Sequence, residues 1–283
     1  MKFRQAVIPM ASPQHRNLPF QQVLDGEGRV KHLIALQIEE LLASGVERIL
    51  LVTNPQTTGM LADLRSTYSC VEPIVQTELG GFGHAVLCAE PYIGTDSFLL
   101  QVCDHLFITY AERSCTAQLI DVALRDECTV SAVQVTKENE LPYFGVIGGR
   151  RVRGEEALYL VETVLEKPTP TAAEEHCVVS GLRLGTYLSF FGTHALHASA
   201  FRCLHDIESK LQPGQKLGFS EALMRLAKTE KYLALQVQGH RVDLESPYGL
   251  LRAQVALALN GPKRAEVLQV MLEEVAVAAK RSV

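Results

Sequence analysis

Several features are missing from this 283-residue sequence, and each absence removes a class of protein. There is no Cys-x-x-Cys pair and no zinc-type spacing; the seven cysteines, at 70, 88, 103, 115, 128, 177 and 203, form an odd, dispersed set. Several fall inside apolar runs, as reduced core thiols do, rather than in a disulfide framework. No apolar run reaches membrane-spanning length. Basic charge is not in excess: the formal net charge is -5 with Lys and Arg scattered, which argues against a general nucleic-acid binder. The aromatic residues Tyr143, Phe144, Tyr187, Phe190 and Phe191 lack the basic stripe that a base-stacking platform needs. A Gly-x-Ser-x-Gly elbow is absent, which excludes the hydrolases built on it. Internal repeats, low-complexity tracts and linkers are absent too. An apolar run, Ala6-Val7-Ile8-Pro9, begins so early that no signal peptide is expected, and the protein is expected to be cytoplasmic.

What is present is enough apolar residue, 47%, for a substantial core. Residues 5–9 read as a first strand followed by a loop of the kind that carries ligands in α/β proteins. Residues 32–44 read as a helix with Leu33, Leu36, Ile38, Leu41 and Leu42 as its apolar positions and Gly45 as its stop. The fully apolar run 48–52 has the character of a strand buried on both faces of a parallel sheet. A helix at 56–67, strands at 71–75 and 98–103, a helix at 113–125 and a strand at 129–135 continue the alternation, which predicts βαβ units. From Tyr143 the texture changes to longer, aromatic and β-branched strands at 143–152, 158–168 and 181–196. Helices at 196–211 and 220–228, a strand at 232–237 and closing helices at 247–259 and 262–280 complete the chain.

The centre of the sequence is the stretch 75–104. Its glycine-rich turn, Leu79-Gly80-Gly81-Phe82-Gly83, is followed by a helix opening at His84-Ala85-Val86 and a buried strand ending in Asp104. Glycines allow close backbone approach, a helix N-terminus favours anions, and open α/β sheets place ligands at the carboxyl ends of their strands. On spacing alone this suggests a nucleotide or phosphate-ester site, and a plain turn between two helical segments fits the same spacing.

Taken together, five segments in order resemble the bacterial UTP–glucose-1-phosphate uridylyltransferases of the sugar-phosphate nucleotidyltransferase family. They are Gln5-Ala6-Val7-Ile8-Pro9-Met10-Ala11; residues 45–53; residues 76–86, ending Gly-Phe-Gly-His-Ala-Val; Phe144-Gly145-Val146 with Leu165-Glu166-Lys167-Pro168; and Val242-Asp243 before Tyr248-Gly249. The resemblance spans residues 4–259. It implies a Rossmann-like mixed, mainly parallel sheet flanked by helices, of the nucleotide-diphospho-sugar transferase type, with a small β-rich sugar-binding portion. Residues 1–260 would form one domain, with a nucleotide-binding half (1–136) and a sugar-phosphate half (137–260), followed by a C-terminal helix (261–283).

By that resemblance Gln76 and the Gly81 backbone would read the uracil edge, and Ala11 and Ser12 would lie against the ribose and phosphates. Arg16 would neutralise the β- and γ-phosphates, and Asp104 and Asp243 would hold Mg2+. Gly145 and Glu166 would bind sugar hydroxyls and Lys167 the sugar phosphate, with Tyr187 and Gly192 lining the pocket. The substrates implied are UTP and glucose-1-phosphate, or UDP-glucose, with neither nucleic acid nor membrane as partner; the last helix reads as a packing helix or the arm of a homo-oligomer. Three departures stand out. The family's G-x-G-T-R loop is replaced by Ser12-Pro13-Gln14-His15-Arg16, its P-K-x-x-L-P segment is missing from 20–31, and Gly80 replaces a lysine of the uracil-side turn. Two readings follow: an active uridylyltransferase with a remodelled triphosphate loop, or a catalytically impaired nucleotide-sugar-binding relative.

Overall fold

A computed structural model describes residues 2–13 and 17–280. The chain forms β1 (Gln5–Pro9), a hairpin of β2 (Gln22–Leu24) and β3 (Val30–His32), α1 (Leu33–Ala43), β4 (Arg48–Thr53), α2 (Ala62–Thr67), β5 (Val71–Val75), α3 (Phe82–Leu87) and α4 (Glu90–Ile93). Next come β6 (Phe98–Gln101), β7 (His105–Thr109), α5 (Cys115–Asp126), β8 (Thr129–Lys137), β9 (Gly145–Arg151), β10 (Leu158–Glu166) and α6 (Pro170–His176). The last third holds β11 (Thr186–Leu196), α7 (Ser199–Glu208), α8 (Ser220–Thr229), β12 (Tyr232–Gln236), β13 (Gly239–Asp243), α9 (Gly249–Leu259) and α10 (Arg264–Lys280).

Nine strands make one sheet in the order β5-β4-β1-β6-β11-β8-β12-β10-β9. The first four run parallel, as the fully apolar runs predict. Side chains on these strands divide by parity. Ala6, Ile8, Ile49, Leu51 and Leu99 join a core with α1 and α5, and Val7, Leu50, Val52, Phe98 and Leu100 join the core on the other face with α3, α4, α7 and α8. A period of two with apolar residues at both parities is what covers a sheet on both sides.

β11 joins the halves. Its C-terminal part, Thr193 to Leu196, pairs antiparallel with β6, while Leu188 and Ser189 pair with β9 along the same edge. Its other edge lies on β8 throughout, with an irregularity between Phe190 and His194 where Gly192 adopts φ 105°. A strand bent in this way belongs to the parallel sheet at one end and closes the ring β11-β8-β12-β10-β9 at the other.

Outside this sheet, β7 and β13 form an antiparallel ribbon whose Leu106, Ile108, Val242 and Leu244 pack with Val23, Leu33 and Ala253 of α9. The predicted helix at 56–67 is instead a 3-10 turn (Thr58–Leu61) leading into α2. The short elements β2, β3, β7, β13 and α6 have no counterpart in the sequence-based expectation. The seven cysteines are not in disulfides, and burial raises the titration of Cys103, Cys115, Cys128 and Cys177, so these four remain protonated core groups.

Candidate active site

The turn after β6 is fastened from three sides. The Val102 N–H donates to the Gly192 carbonyl (2.9 Å), and the buried Gln37 amide of α1 donates to the carbonyls of Val102 (3.1 Å) and His105 (2.6 Å). The third tie comes from the far end of the chain: the Leu244 N–H donates to the Asp104 carbonyl (2.9 Å), and Asp243 stands opposite His105 across the ribbon. The two acids, far apart in sequence, therefore lie on adjacent backbone, Asp104 in the turn just before β7 and Asp243 at the end of β13, and both carboxylates act on the His105 imidazole. Both are half-buried.

Asp243 is held by a local turn. Its Oδ1 accepts the Glu245 N–H (2.9 Å), and its carbonyl accepts the Ser246 hydroxyl (2.7 Å). Tyr248, at φ 60°, then brings Gly249 so close that a Cβ there would stand 2.4 Å from the Asp243 carbonyl oxygen. Beside the acids, burial holds the His105 imidazole below its usual titration range; the carboxylates of Asp104 and Asp243 oppose this shift and Arg241 adds to it. Among the described residues no group of three or more His, Cys, Asp or Glu side chains is placed to hold a metal. Two carboxylates on adjacent backbone would suit Mg2+, which takes one or two carboxylates and completes its octahedron with phosphate oxygens and water.

On the nucleotide side, Gln76 is buried, with its Nε2 2.7 Å from His84 Nδ1 and 3.5 Å from the Gly81 carbonyl. His84 packs against this amide, in keeping with a packing role. Ala11 is pinned at the end of β1, where its carbonyl accepts the Asn54 amide (2.9 Å), and Ser12 is half-buried beyond it. Arg16 lies outside the described residues. The glycine turn calls for a correction. Gly81 has φ 105°, and a Cβ there would stand 2.6 Å from the Leu217 carbonyl oxygen. The Gly83 N–H donates to that oxygen (2.9 Å), and the Leu217 N–H donates to the Gly80 carbonyl (2.7 Å). On this side the close approach that glycine permits is taken by the protein's own 216–218 segment. The helix behind it, α3, has only six residues, too few to build a strong N-terminal dipole.

On the sugar side, Gly145 and Glu166 face each other across β9 and β10. A Cβ at Gly145 would stand 2.8 Å from the Phe190 ring and 3.0 Å from Glu166 Oε2. Glu166 also accepts the Ser220 hydroxyl, and both Glu166 and Lys167 are exposed. Lys167 adopts φ 45°, uncommon for a residue with a side chain, while its N–H donates to the Phe144 carbonyl (3.2 Å). Two expected pocket residues are placed otherwise. Tyr187 is buried in a satellite core with Leu141, Val146, Ala173 and Cys177. Gly192 lies behind the acid-bearing turn, where a Cβ would stand 2.6 Å from His105 Nδ1 and 2.7 Å from Val102.

Two neighbours of the site, Arg241 and the Phe144 ring, have no site role in the sequence reading. The Arg241 guanidinium is buried, and its carbon sits 3.4 Å from the Phe144 ring centroid. Burial pushes its titration down to about 10, against the pull of Asp243, Glu140 and Asp104, and it stays a cation at neutral pH. The available signal was an arginine two residues before Asp243.

A mixed sheet with covered faces, carrying an acid at the end of a central strand and another on an attached ribbon, defines a class rather than one enzyme. A profile described as nucleotidyl transferase matches residues 13–208, and the chain belongs to that family. Among its relatives, the UTP–glucose-1-phosphate uridylyltransferase of Streptococcus pneumoniae serotype 4 is 28% identical over 292 residues, covering 93% of this chain and 92% of the relative. The UTP–glucose-1-phosphate uridylyltransferase YngB of Bacillus subtilis is 27% identical, over 97% of this chain and 96% of its own. Two solved structures share the fold. A UDP-glucose pyrophosphorylase from Acinetobacter baumannii superposes with a TM-score of 0.77 at 22% identity, covering 96% of this chain and 99% of that one. A UDP-glucose pyrophosphorylase complexed with UDP-glucose gives 0.72 at 24% identity, covering 90% and 98%.

Proposed function

We propose that this protein makes UDP-glucose and pyrophosphate from UTP and glucose-1-phosphate. The observation that carries the reading is the meeting of Asp104 and Asp243 on adjacent backbone, joined by the Leu244 N–H to Asp104 carbonyl bond. Full-length similarity to uridylyltransferases supports the choice of substrates. A phosphate oxygen of glucose-1-phosphate attacks the α-phosphorus of UTP in line, and pyrophosphate leaves. Such a transfer depends on positioning and charge neutralisation more than on a protein nucleophile.

In this reading Gln76 reads the base. With its Nε2 engaged by His84 and Gly81, the amide oxygen is left to accept the N3–H of uracil. Ala11, Ser12 and the Gly81 backbone border the nucleotide, and Arg16 neutralises the outgoing phosphates. Gly145 and Glu166 bind sugar hydroxyls, and Lys167 meets the sugar phosphate. Tyr187 and Gly192 serve as supports behind the pocket. Asp104 and Asp243 would hold Mg2+, which when bound offsets charge on the phosphate oxygens. No helix among the described residues is long and apolar enough to cross a membrane, and free thiols suit a reducing cytoplasm.

One observation favours a second reading, a nucleotide-sugar-binding relative with weak or no turnover. The loop that is glycine-rich in the family carries Pro13 here, which removes an N–H from the phosphate cradle and fixes φ. A coupled pyrophosphate-release assay with UTP, glucose-1-phosphate and Mg2+ decides between the two. Turnover establishes the first; UDP-glucose binding by calorimetry without turnover selects the second.

A further inference from the structure

The Arg241 side chain is almost entirely buried (5% exposed), and its contacts cross the site from one side to the other. It stands on β13 two residues before Asp243, opposite Phe107. Its guanidinium lies over the Phe144 ring, with Nη1 donating to the Phe190 carbonyl and Nη2 to the Ser189 hydroxyl (3.3 Å). Its own N–H donates to the Gln134 side chain of β8 (3.1 Å). Phe144 precedes Gly145, carries the carbonyl bonded by the Lys167 N–H, and packs edge-on against His105 at 5.9 Å. Phe190 is the ring against which Gly145 is pressed. One cation thus touches the ribbon bearing Asp243, the bend of β11, and the residue on which Gly145 and Lys167 hang.

Burying a guanidinium is costly unless its donors are met and its face is covered. A packing role alone would be served as well by an apolar side chain of similar volume. What an apolar residue does not supply is direction: a planar fork with two donors and a stacking face fixes its neighbours in angle as well as distance. The elements fixed here are the two whose relative placement sets the distance between the paired acids and the sugar phosphate.

We propose that Arg241 is a positioning residue that, through Phe144 and the bend of β11, holds the Asp243 ribbon in register with the sugar-phosphate side formed by Gly145, Glu166 and Lys167. The proposal rests on the roles given to those residues above and adds a residue to which no role has been given. It concerns the sugar side alone, so the uracil side should be insensitive to it.

The test compares wild type with Arg241→Met, Arg241→Lys, Phe144→Leu and the Arg241→Met/Phe144→Leu double variant, each checked for folding by circular dichroism. Calorimetric titration with UMP and with UDP-glucose, in the presence of Mg2+, separates the two sides of the site. Loss of directed hydrogen bonds to a charged group commonly costs about tenfold. Arg241→Met and Phe144→Leu should therefore lower the ratio of UDP-glucose to UMP affinity by about tenfold, with UMP affinity within about twofold of wild type. In kinetics the same variants should raise the KM for glucose-1-phosphate and not that for UTP. Arg241→Lys, which keeps the charge but not the fork, should fall between. The double variant should be no worse than Arg241→Met, because the two residues act as one unit. An equal loss of UMP and UDP-glucose affinity, an unchanged ratio, or additive losses would each overturn the proposal. Should Arg241→Met fail to fold, Phe144→Leu and Arg241→Lys carry the same comparison. Wild type that binds no UDP-glucose removes the parent reading; wild type that binds it, beside variants with an unaltered ratio, removes only this one.

Discussion

Two carboxylates brought onto adjacent backbone repel each other unless something positive lies between or beside them. Arg241 and the Glu245 amide supply part of that compensation in the protein alone, and a divalent ion with its substrate phosphates would supply the rest. Replacing either acid by its amide leaves shape and hydrogen bonding nearly intact. Asp104→Asn and Asp243→Asn should therefore each lower Mg2+-dependent pyrophosphate release by about a hundredfold or more, with the thermal midpoint unchanged or slightly raised. Near-normal release in either variant would remove that carboxylate from the metal. On the base side, Gln76→Ala should weaken UMP by about tenfold in calorimetry, while the KM for glucose-1-phosphate moves little. Equal weakening of both would take away its assignment as the base reader. At this scale the sequence was informative where chemistry and strand ends coincide, as at Asp104. It was silent on Arg241, whose importance comes from Phe144 and Phe190, residues about a hundred and about fifty positions away.

At the scale of elements, runs of apolar residues predicted β1, β4 and β6, because a strand covered on both faces has almost no freedom in composition. The ribbon of β7 and β13 was not legible: HLFIT and GHRVD are only five residues each, the second mostly polar, and become strands only once they pair. Helix α6 was hidden in the same way, since Pro170 at its first turn reads equally as a loop. Glycine marks close approach, but the partner is internal: Gly81 in the central stretch yields to Leu217, and Gly192 on β11 to His105. This distinction can be tested with two alanines. Gly45, at φ 93°, has nothing within 4 Å of where an alanine methyl would stand, so Gly45→Ala costs only backbone strain, about 1 kcal/mol. Gly192→Ala adds collision with His105 and Val102, and should cost about 1–3 kcal/mol more in urea denaturation. It should also depress turnover of the folded protein, because the displaced turn carries Asp104. A Gly192→Ala protein with wild-type kinetics would show that the turn adapts without moving the acid.

For the molecule as a whole, the parallel half followed from local pattern, but the order of the other strands did not. β11 serves both halves, and such sharing is decided by contacts between distant segments. At that junction sits a buried polar network: the Ser131 hydroxyl of β8 lies 2.6 Å from His194 Nδ1 of β11 and 2.6 Å from the Tyr232 hydroxyl of β12. The Phe190 and Phe219 rings stand edge-on to the His194 ring, 5.1 and 5.6 Å away between centroids. Burial in this setting pushes the imidazole down to about 3. The unfolded chain, with an ordinary histidine near 6.5, takes up a proton that the native sheet refuses. Its contribution to stability is therefore complete above pH 6.5 and is lost as pH falls from there towards 3, at about 1.4 kcal/mol per pH unit. Chemical denaturation at pH 7, 6 and 5 should show wild type losing its advantage over His194→Gln, by about 0.7 kcal/mol in the first step and about 1.2 kcal/mol in the second, since glutamine does not titrate. Parallel curves for the two proteins would mean that His194 gains its proton inside the folded sheet, and that the strands joining the halves are open enough to hydrate a charge.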